Sequence, residues 1–192
     1  ADKTTYTTFE AHYTYHPAWA ARVIEKINPP KHVDISSSLR FCSMISAFVP
    51  TDFYDFRPAQ LHLSNLKCKQ ANLLQLPFAD GSIHSLSCMH TLEHIGLGRY
   101  GDKIDYDGDL KAINELVRVL ATNGHLLIVV PIGKPCIEFN AHRIYSYEQI
   151  ITYFKGLHLN EFSLVPDDFE KLGLIKNATQ EMADQQVWGC GC

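Results

Sequence analysis

The spacing of apolar residues predicts a helix near the start of the chain, then a strand and a second helix. From Pro17 onward apolar residues recur with helical spacing, with Pro17 in the first turn, until Pro29-Pro30, which cannot continue a helix. The segment from His32 to Ser36 has the length of a strand. The serines that follow favour the start of a helix running to Phe48, because serine is a good N-cap residue.

Strand and helix signals continue to alternate along the rest of the chain. Strands are predicted over residues 52–56, 68–74, 83–89 and 126–130, with two late strands over 157–165 and 187–192. Helices are predicted over residues 91–95, 109–121 and 147–154. Asp107 or Asp109 is expected to cap the helix at 109–121, and Asn123-Gly124 to end it. The polar stretch 166–186 is expected to form a lid or a surface loop.

This alternation predicts an α/β fold, a Rossmann-like, mostly parallel sheet flanked by helices. The run Leu126 to Val130 is apolar throughout, as in a strand buried on both faces of a parallel sheet. We expect a single domain over residues 1–192. Within it, residues 1–30 form an N-terminal helical segment, 31–135 a cofactor-binding half and 136–192 a substrate-side half.

Composition and charge narrow the function classes. The chain has 192 residues, of which 46% are hydrophobic, which suits a compact domain with a real core. A net charge of −4 argues against a nucleic-acid partner, since nucleic-acid binders usually carry a basic face. No apolar stretch in the sequence reaches the ~20 residues of a membrane span. The scattered cysteines favour a reduced, cytoplasmic protein.

Four segments, in order along the chain, resemble class I S-adenosylmethionine-dependent methyltransferases. The segments are His32 to Ser38, Tyr54-Asp55-Phe56-Arg57, Gln70 to Leu73 with Leu76 to His84, and Leu92 to Ile95 with Glu115 to Pro131. The third contains Leu-Pro-Phe-Ala-Asp-Gly-Ser-Ile-His, similar to a run that leads into the fourth strand of that family. The resemblance covers about 100 residues and implies the class I methyltransferase fold, with S-adenosylmethionine as cofactor.

A narrower resemblance concerns two further segments. Gly96 to Asp102 and Phe139 to Arg143 are similar to a little-characterised methyltransferase-like family associated with bacterial surface-polysaccharide loci. This resemblance implies a role in polysaccharide biosynthesis.

The resemblance assigns cofactor contacts at several strand ends. Asp55 is expected to accept hydrogen bonds from the ribose hydroxyls, as a carboxylate at the end of the second strand can. Asp34 would orient the amino-acid part of the cofactor, directly or through water. Asn72 would accept from the adenine amino group, Leu73 would pack on the adenine ring, and Phe56 would flank it.

The loop after the first strand departs from the family pattern. Ser36 and Ser38 stand where glycines are expected, and a serine held at positive φ costs roughly 1 kcal/mol or more. One interpretation is that the serine hydroxyls and the following helix N-terminus still bind the carboxylate end of the cofactor. The other is that the loop takes another shape and the cofactor site is lost.

Candidate chemical groups follow the fourth and fifth strands. His90 and His94 are candidate general bases, because histidine titrates near neutral pH. His90 is also expected to contact the cofactor. His142 is a third candidate base. Glu93 and Arg143 are candidate substrate-binding residues, although the segment around Arg143 fits a structural turn anchored by arginine equally well.

No metal site is expected from the sequence. Cys190 and Cys192 form a Cys-x-Cys pair, but no second pair has complementary spacing. His90, Glu93 and His94 do not have the His-Glu-x-x-His spacing of a zinc site. The alternating aspartates from Asp102 to Asp109 lack the register of a calcium loop and fit a solvated loop with a helix cap.

The leading hypothesis is methyl transfer from S-adenosylmethionine to a small-molecule acceptor, with a sugar or polysaccharide-precursor hydroxyl or carboxylate as the favoured group. The alternative is a catalytically inactive protein of the same fold that serves as a binding or scaffold subunit, which the serine loop would explain. An enzyme that uses the fold on a nucleotide-sugar without the cofactor is a third, weaker interpretation. The oligomeric state has no signature in the sequence.

Overall fold

The computed structural model describes residues 5–192 and is built around one large sheet. The strands are β1 (His32–Ile35), β2 (Thr51–Asp55), β3 (Leu66–Gln70), β4 (Ile83–Met89), β5 (Leu120–Ile132), β6 (Cys136–Glu138), β7 (His142–Ile144), β8 (Leu164–Val165) and β9 (Gly189–Gly191). Seven of them form a sheet in the order β3-β2-β1-β4-β5-β9-β8, while β6 and β7 form an antiparallel hairpin.

The five central strands are parallel, and the late strands are not. β1 to β5 pair in parallel, whereas β9 runs antiparallel to both β5 and β8. Apolar side chains on the two faces form separate core clusters, one beneath the first two helices and one beneath the helix that precedes β5. The predicted Rossmann-like, mostly parallel sheet flanked by helices is therefore confirmed.

Six helices accompany the strands. They are α1 (His12–Ile27), α2 (Leu39–Ile45), α3 (Gly108–Val119), α4 (Tyr147–Tyr153), α5 (Phe169–Leu172) and α6 (Gln180–Asp184), with a short 3-10 helix at Leu92–His94. Among residues 5–192, none of the helices is long and apolar enough to cross a membrane.

Helix α1 begins earlier than the sequence predicted. It starts at His12, so Pro17 lies inside the helix and is buried there, not in its first turn. The first turn is rich in histidine and tyrosine. Because its buried residues are polar, the spacing of apolar residues does not indicate a helix there. The end was predicted correctly: Asn28 adopts φ 49° and its N–H donates to the Ile24 carbonyl just before Pro29.

The serine cap of α2 is confirmed. Ser38 is the N-cap residue, and its hydroxyl accepts a hydrogen bond from the Phe41 N–H at 3.5 Å. The helix is shorter than predicted, because it ends at Ile45 and tight turns lead through Phe48 into β2.

Helix α3 ends two residues before its predicted end. It stops at Val119, and β5 begins at once with Leu120, so Asn123-Gly124 lies inside a strand and not at a helix stop. Asn123 has φ 61°, and the pairing register of β4 and β5 shifts between Ile83 and Ser85. Asp107 occupies the N-cap position, but within the described residues its side chain makes no capping hydrogen bond.

The last third of the chain contains more regular structure than expected. The two late strands are confirmed only in part, as the short β8 and β9. The stretch 166–186 carries α5 and α6, so it is not simply a loop. The hairpin of β6 and β7 was not anticipated, because β6 is fully exposed and so lacks an alternating burial pattern.

Candidate functional site

The candidate site lies where the strand order reverses. β1 pairs with β2 on one side and with β4 on the other, so the carboxyl ends of these three strands meet at one edge of the sheet. Open α/β sheets bind ligands in the crevice outside such a reversal point. Ser36, Asp55 and His90 each stand at or directly after one of these strand ends.

The loop after β1 adopts the backbone turn that a glycine would supply. Ser36 has φ 56°, in the left-handed region. Its N–H donates to the Tyr54 carbonyl at 2.8 Å, and its own carbonyl accepts from the Thr91 hydroxyl at 2.9 Å. The turn is thus tied to β2 on one side and to the segment after β4 on the other.

The three serine hydroxyls of this loop are directed at the protein's own backbone. Ser36 Oγ donates to the Tyr54 carbonyl at 3.3 Å, and Ser37 Oγ accepts from the Met89 N–H at 2.9 Å. Ser38 Oγ caps α2 as described above. The hydroxyls therefore hold the loop in shape, and a contact of Ser36 and Ser38 with a cofactor carboxylate stays a prediction.

Asp34 organises the same loop from beneath. It is fully buried, and its Oδ1 accepts from the Ser37 N–H at 3.0 Å while its Oδ2 accepts from the Ser87 hydroxyl. Ser87 Oγ also lies 2.9 Å from His32 Nε2, and His32 Nδ1 lies 2.8 Å from Ser85 Oγ. This chain of polar contacts joins β1 to β4 from the start of β1 to the loop that follows it.

Burial sets the charge state of this polar chain. Removal from water raises the pKa of Asp34 to about 6, although hydrogen bonds from Ser37 and Ser87 oppose that rise. Burial also lowers the pKa of His32 to about 3, so its ring is neutral at neutral pH. With both carboxylate oxygens occupied, Asp34 acts on the loop and has no open face toward a ligand.

The end of β2 presents two of the predicted cofactor residues. Asp55 is partly exposed, and its Oδ1 accepts from the Arg57 N–H at 2.8 Å. The neighbouring Phe56 ring is 63% exposed. A partly exposed carboxylate with an open aromatic face beside it leaves room for a polar ligand carrying a flat ring.

The segment after β3 places Asn72 and Leu73 differently from each other. Asn72 is exposed, and its Oδ1 accepts from the Leu74 N–H at 2.9 Å, which leaves one further lone pair on that oxygen. Leu73 is buried within the core cluster under α3 and offers little surface to an adenine ring. Among the predicted cofactor contacts, that of Leu73 with the adenine ring is therefore the least well placed.

Glu93 lies between the two histidines predicted after β4. Its Oε1 accepts from His90 Nδ1 at 2.8 Å and lies 3.8 Å from His94 Nε2. His94 Nδ1 is 2.6 Å from the Ala141 carbonyl, which can only accept, so Nδ1 carries a proton. Glu93 is buried, and its Oε2 has no partner among the described residues.

His142 joins this group from β7. Its ring packs edge-on against Trp188 with centroids 4.2 Å apart and lies 6.4 Å from the His94 ring. Burial lowers the pKa of His142, which keeps the imidazole neutral. The structure thus brings His90, Glu93, His94 and His142 together, as expected for candidates of one site.

Arg143 does not have the predicted geometry of an anion fork. The side chain is buried, and its guanidinium donates to the Ile95 carbonyl at 2.7 Å and the Tyr106 carbonyl at 3.0 Å. Its Nε lies 3.4 Å from the Asp109 carboxylate. Because both terminal nitrogens are bound to carbonyls at the two ends of the 96–108 loop, Arg143 holds this loop in place, which supports the interpretation as an arginine-anchored turn.

The aspartates of that loop also have structural partners. Asp102 Oδ2 accepts from the Gly96 and Gly98 N–H groups, and Asp109 accepts from the Tyr145 hydroxyl at 2.9 Å. Gly96 itself is required, because a Cβ there would lie 2.1 Å from the Asp105 carbonyl oxygen.

Sequence reasoning missed the aromatic and sulfur groups that pack around His90. The His12 ring stacks on the His90 ring at 5.4 Å, and the His16 ring lies edge-on at 5.0 Å. Trp188 stacks on His12, and Cys190 Sγ lies 3.5 Å from His90 Nε2. His12 and His16 are four residues apart and therefore lie on one face of α1. This spacing is visible in the sequence, but it indicates a shared face only if the helix is predicted to begin at His12.

Burial favours the neutral form of His12 and His16. Burial lowers the pKa of His16 to about 2 and also lowers that of His12. Neutral imidazole is the form that binds metal ions, and His12, His90 and Cys190 are close enough together to share one.

The fold is that of class I S-adenosylmethionine-dependent methyltransferases. A candidate methyltransferase from Bacillus halodurans aligns with a TM-score of 0.59 at 16% identity, over 78% of this chain and 71% of that one. An S-adenosylmethionine-dependent methyltransferase from Thermotoga maritima aligns at 0.57 and 11% identity, over 93% and 89%. A geranyl diphosphate C-methyltransferase from Streptomyces coelicolor aligns at 0.55 and 13%, over 78% and 60%.

The sequence defines the family. Residues 78–186 match the family described as Caenorhabditis protein of unknown function, DUF268, and the chain belongs to that family. An uncharacterised protein of Methanocaldococcus jannaschii, MJ0638, is 37% identical over 110 residues, which are 52% of this chain and 43% of that protein. The chain thus aligns with less than half the length of this relative.

Proposed function

We propose that this chain is an S-adenosylmethionine-dependent methyltransferase that acts on a small-molecule acceptor. The observation that carries the proposal is the left-handed turn at Ser36, held by Tyr54 and Thr91 at the strand-order reversal. The departure from glycine therefore has not collapsed the loop. This supports a working cofactor site over the inactive scaffold that the serines had suggested.

The cofactor would lie across the ends of β1 and β2. Asp55 would accept hydrogen bonds from the ribose hydroxyls, and the exposed Phe56 ring would flank the adenine, with Asn72 Oδ1 as acceptor for its amino group. Leu73 would only pack behind the residues that line this pocket. Ser36 and Ser38 would shape the loop beside the amino-acid end, and Asp34 would position that loop without touching the ligand.

The acceptor would be activated by a histidine beside Glu93. Bound S-adenosylmethionine supplies the methyl group, and this chain must align the acceptor and remove its proton. His94 suits that task better than His90, because its side chain is more exposed, 13% against 4%, and the Glu93 carboxylate 3.8 Å from its Nε2 would stabilise the imidazolium formed. The acceptor O–H proton passes to His94 Nε2, with His142 as the second candidate base.

The acceptor class is proposed from the lining of this region. Tyr100 and Trp188 offer partly exposed aromatic faces beside His94 and His142, where the rings of a hydroxylated or carboxylated sugar would fit. A surface-polysaccharide precursor in the cytoplasm is the specific acceptor we favour. The net charge of −4 supports a small acceptor over nucleic acid, and the six cysteines, all in the described part, are free thiols, as in a reducing compartment.

Calorimetric titration with S-adenosylhomocysteine tests the proposal without knowledge of the acceptor. We expect saturable one-to-one binding to the wild-type protein. Asp55→Ala should weaken binding roughly 10- to 150-fold, since a charge-assisted hydrogen bond contributes about 1.5–3 kcal/mol. Asp80→Ala is the matched control, because Asp80 lies at the opposite sheet edge, before β4, in an exposed pair with Arg118.

Two results would contradict the proposal at different points. Absence of binding at millimolar ligand would overturn the cofactor claim and restore the scaffold interpretation. An unchanged affinity in Asp55→Ala, with binding intact in the wild-type protein, would instead show that the ribose lies elsewhere.

A further inference from the structure

Three segments that are distant in sequence bring metal-binding atoms together at one buried point. His12 from α1, His90 after β4 and Cys190 from β9 each offer one ligand atom, and these atoms all lie within 4.8 Å of one another. All three side chains are buried. Two imidazoles and a thiol form a donor set typical of zinc.

The separation of the His90 and Cys190 ligand atoms agrees with a tetrahedral ion bound between them. Zn–N bonds of about 2.05 Å and Zn–S bonds of about 2.3 Å place neighbouring N and S ligands about 3.6 Å apart. His90 Nε2 and Cys190 Sγ are 3.5 Å apart. Cys192 Sγ lies 3.9 Å from Cys190 Sγ, so a second sulfur stands beside this one ligand.

The second ring nitrogen of His90 has a hydrogen-bond partner of the kind that supports a zinc-bound histidine. His90 Nδ1 donates to Glu93 Oε1 at 2.8 Å, which fixes the tautomer and directs the Nε2 lone pair toward Cys190. A carboxylate that orients a histidine in this way is the usual support of a zinc-bound imidazole.

Two buried side chains next to this point, those of His16 and Glu93, carry polar atoms without a partner within the described residues. His16 is 1% exposed, its ring centroid lies 5.0 Å from that of His90, and neither of its ring nitrogens has a partner within the described residues. Buried polar atoms in proteins are nearly always paired, so this cluster points to a bound species.

We propose that His12, His90 and Cys190 bind a zinc ion. On binding, the Cys190 thiol releases its proton to solvent and its thiolate forms a bond to zinc, while both imidazoles bind as neutral rings. The expectation of no metal rested on the missing second Cys-x-Cys pair; the fold supplies histidines from α1 and from the end of β4 instead. The ion joins the first helix to the last strand, beside the residues proposed to activate the acceptor.

Zinc content after loading tests the site directly. Purified protein is stripped with chelator, incubated with zinc, passed through a desalting column and analysed by mass spectrometry for metal. The wild-type chain should retain one zinc per chain. Cys190→Ser and His12→Gln should lose it, with affinity reduced beyond the roughly 10- to 100-fold that removal of an outer partner costs.

Matched controls use the same substitutions at other sites. Cys136→Ser removes an exposed thiol of the β6 strand and His84→Gln removes an exposed imidazole in β4, and both should retain one zinc per chain. Retention of one zinc per chain by Cys190→Ser and His12→Gln, as by these controls, would show that the metal is bound elsewhere and would overturn the proposal.

Cobalt substitution keeps the test valid even if a variant misfolds. Co²⁺ bound to the wild-type protein should show the visible bands of a tetrahedral ion and a thiolate charge-transfer band in the near ultraviolet. Wild-type protein that retains less than a tenth of a zinc per chain, or a cobalt form without the thiolate band, would overturn the assignment.

Discussion

The Ser37 N–H donates to the buried Asp34 carboxylate at 3.0 Å, so an acidic side chain within β1 closes the loop that follows the strand. In the resemblance to methyltransferases, this aspartate was expected to contact the cofactor. In the structure it shapes the loop, and its consequences are therefore visible in folding measurements as well as in binding.

The pH dependence of stability tests the environment of Asp34. Its pKa in the folded protein, about 6, lies above the ordinary value of 3.8. Its contribution to stability is therefore complete below about pH 4 and is lost as the pH rises through 6, by up to about 3 kcal/mol. Asp34→Asn keeps a carbonyl acceptor for Ser37 but cannot ionise.

Urea denaturation of both proteins from pH 4 to pH 7 measures this loss. The difference in unfolding free energy, wild type minus Asp34→Asn, should fall as the pH rises. The lowered pKa of His32 makes the unfolding free energy of both proteins rise with pH. Taking the difference between the two proteins cancels this contribution. A difference that stays constant across this range would show that Asp34 is not buried as described.

Substitutions at Ser36 test whether the left-handed turn is held by the fold. Ser36→Gly should change the unfolding free energy by about 1 kcal/mol or less, because relief of strain offsets the lost hydrogen bond and the added freedom of the unfolded chain. Ser36→Val should cost about 2 kcal/mol or more, because a β-branched residue is strained at φ 56°. Equal stabilities of the two variants in urea denaturation would contradict the observed turn.

Arg143 is predicted to be a structural residue and not a substrate ligand. Arg143→Ala should destabilise the protein by roughly 3–5 kcal/mol, since it leaves the buried Asp109 carboxylate without its positive partner and two carbonyls without their donor. Arg99→Ala, at an exposed arginine, should stay within about 0.5 kcal/mol. If urea denaturation shows Arg143→Ala as stable as the Arg99 control, the anchoring role is wrong.

Metal removal should lower thermal stability if the zinc site exists. Zinc at a hundredfold excess over its dissociation constant would add about 2.7 kcal/mol, which corresponds to roughly 5–10 °C in Tm for a chain of this size. Differential scanning calorimetry with and without chelator measures the shift. Cys190→Ser should show no chelator effect, and a shift equal to that of the wild type would assign the stabilisation to another site.

Much of the fold could be predicted because its elements carry local signals. The apolar run of β5 and the serine cap of α2 are readable from neighbouring residues, and both were found. The start of α1 was missed because His12 and His16 face the core there without being aliphatic. The β6–β7 hairpin was missed because short, exposed strands have no buried face to produce a pattern.

The candidate site was predictable only where its residues follow one another. His90, Glu93 and His94 come from one segment and were grouped correctly. The contact between His90 and Cys190 spans 100 residues, and that between His12 and His90 joins α1 to β4, so neither leaves a local pattern. The inward direction of the serine hydroxyls likewise depends on carbonyls and amides of other strands, which the sequence alone does not locate.

A crystal structure with S-adenosylhomocysteine would test the central claim most directly, by measuring the distances from the ribose hydroxyls to Asp55. We predict that both hydroxyl oxygens lie about 2.5–3.0 Å from the Asp55 carboxylate, with the adenine against Phe56 and the Ser36 turn unchanged. A ligand-free crevice after soaking at millimolar concentration, or a ribose bound away from the end of β2, would contradict the account.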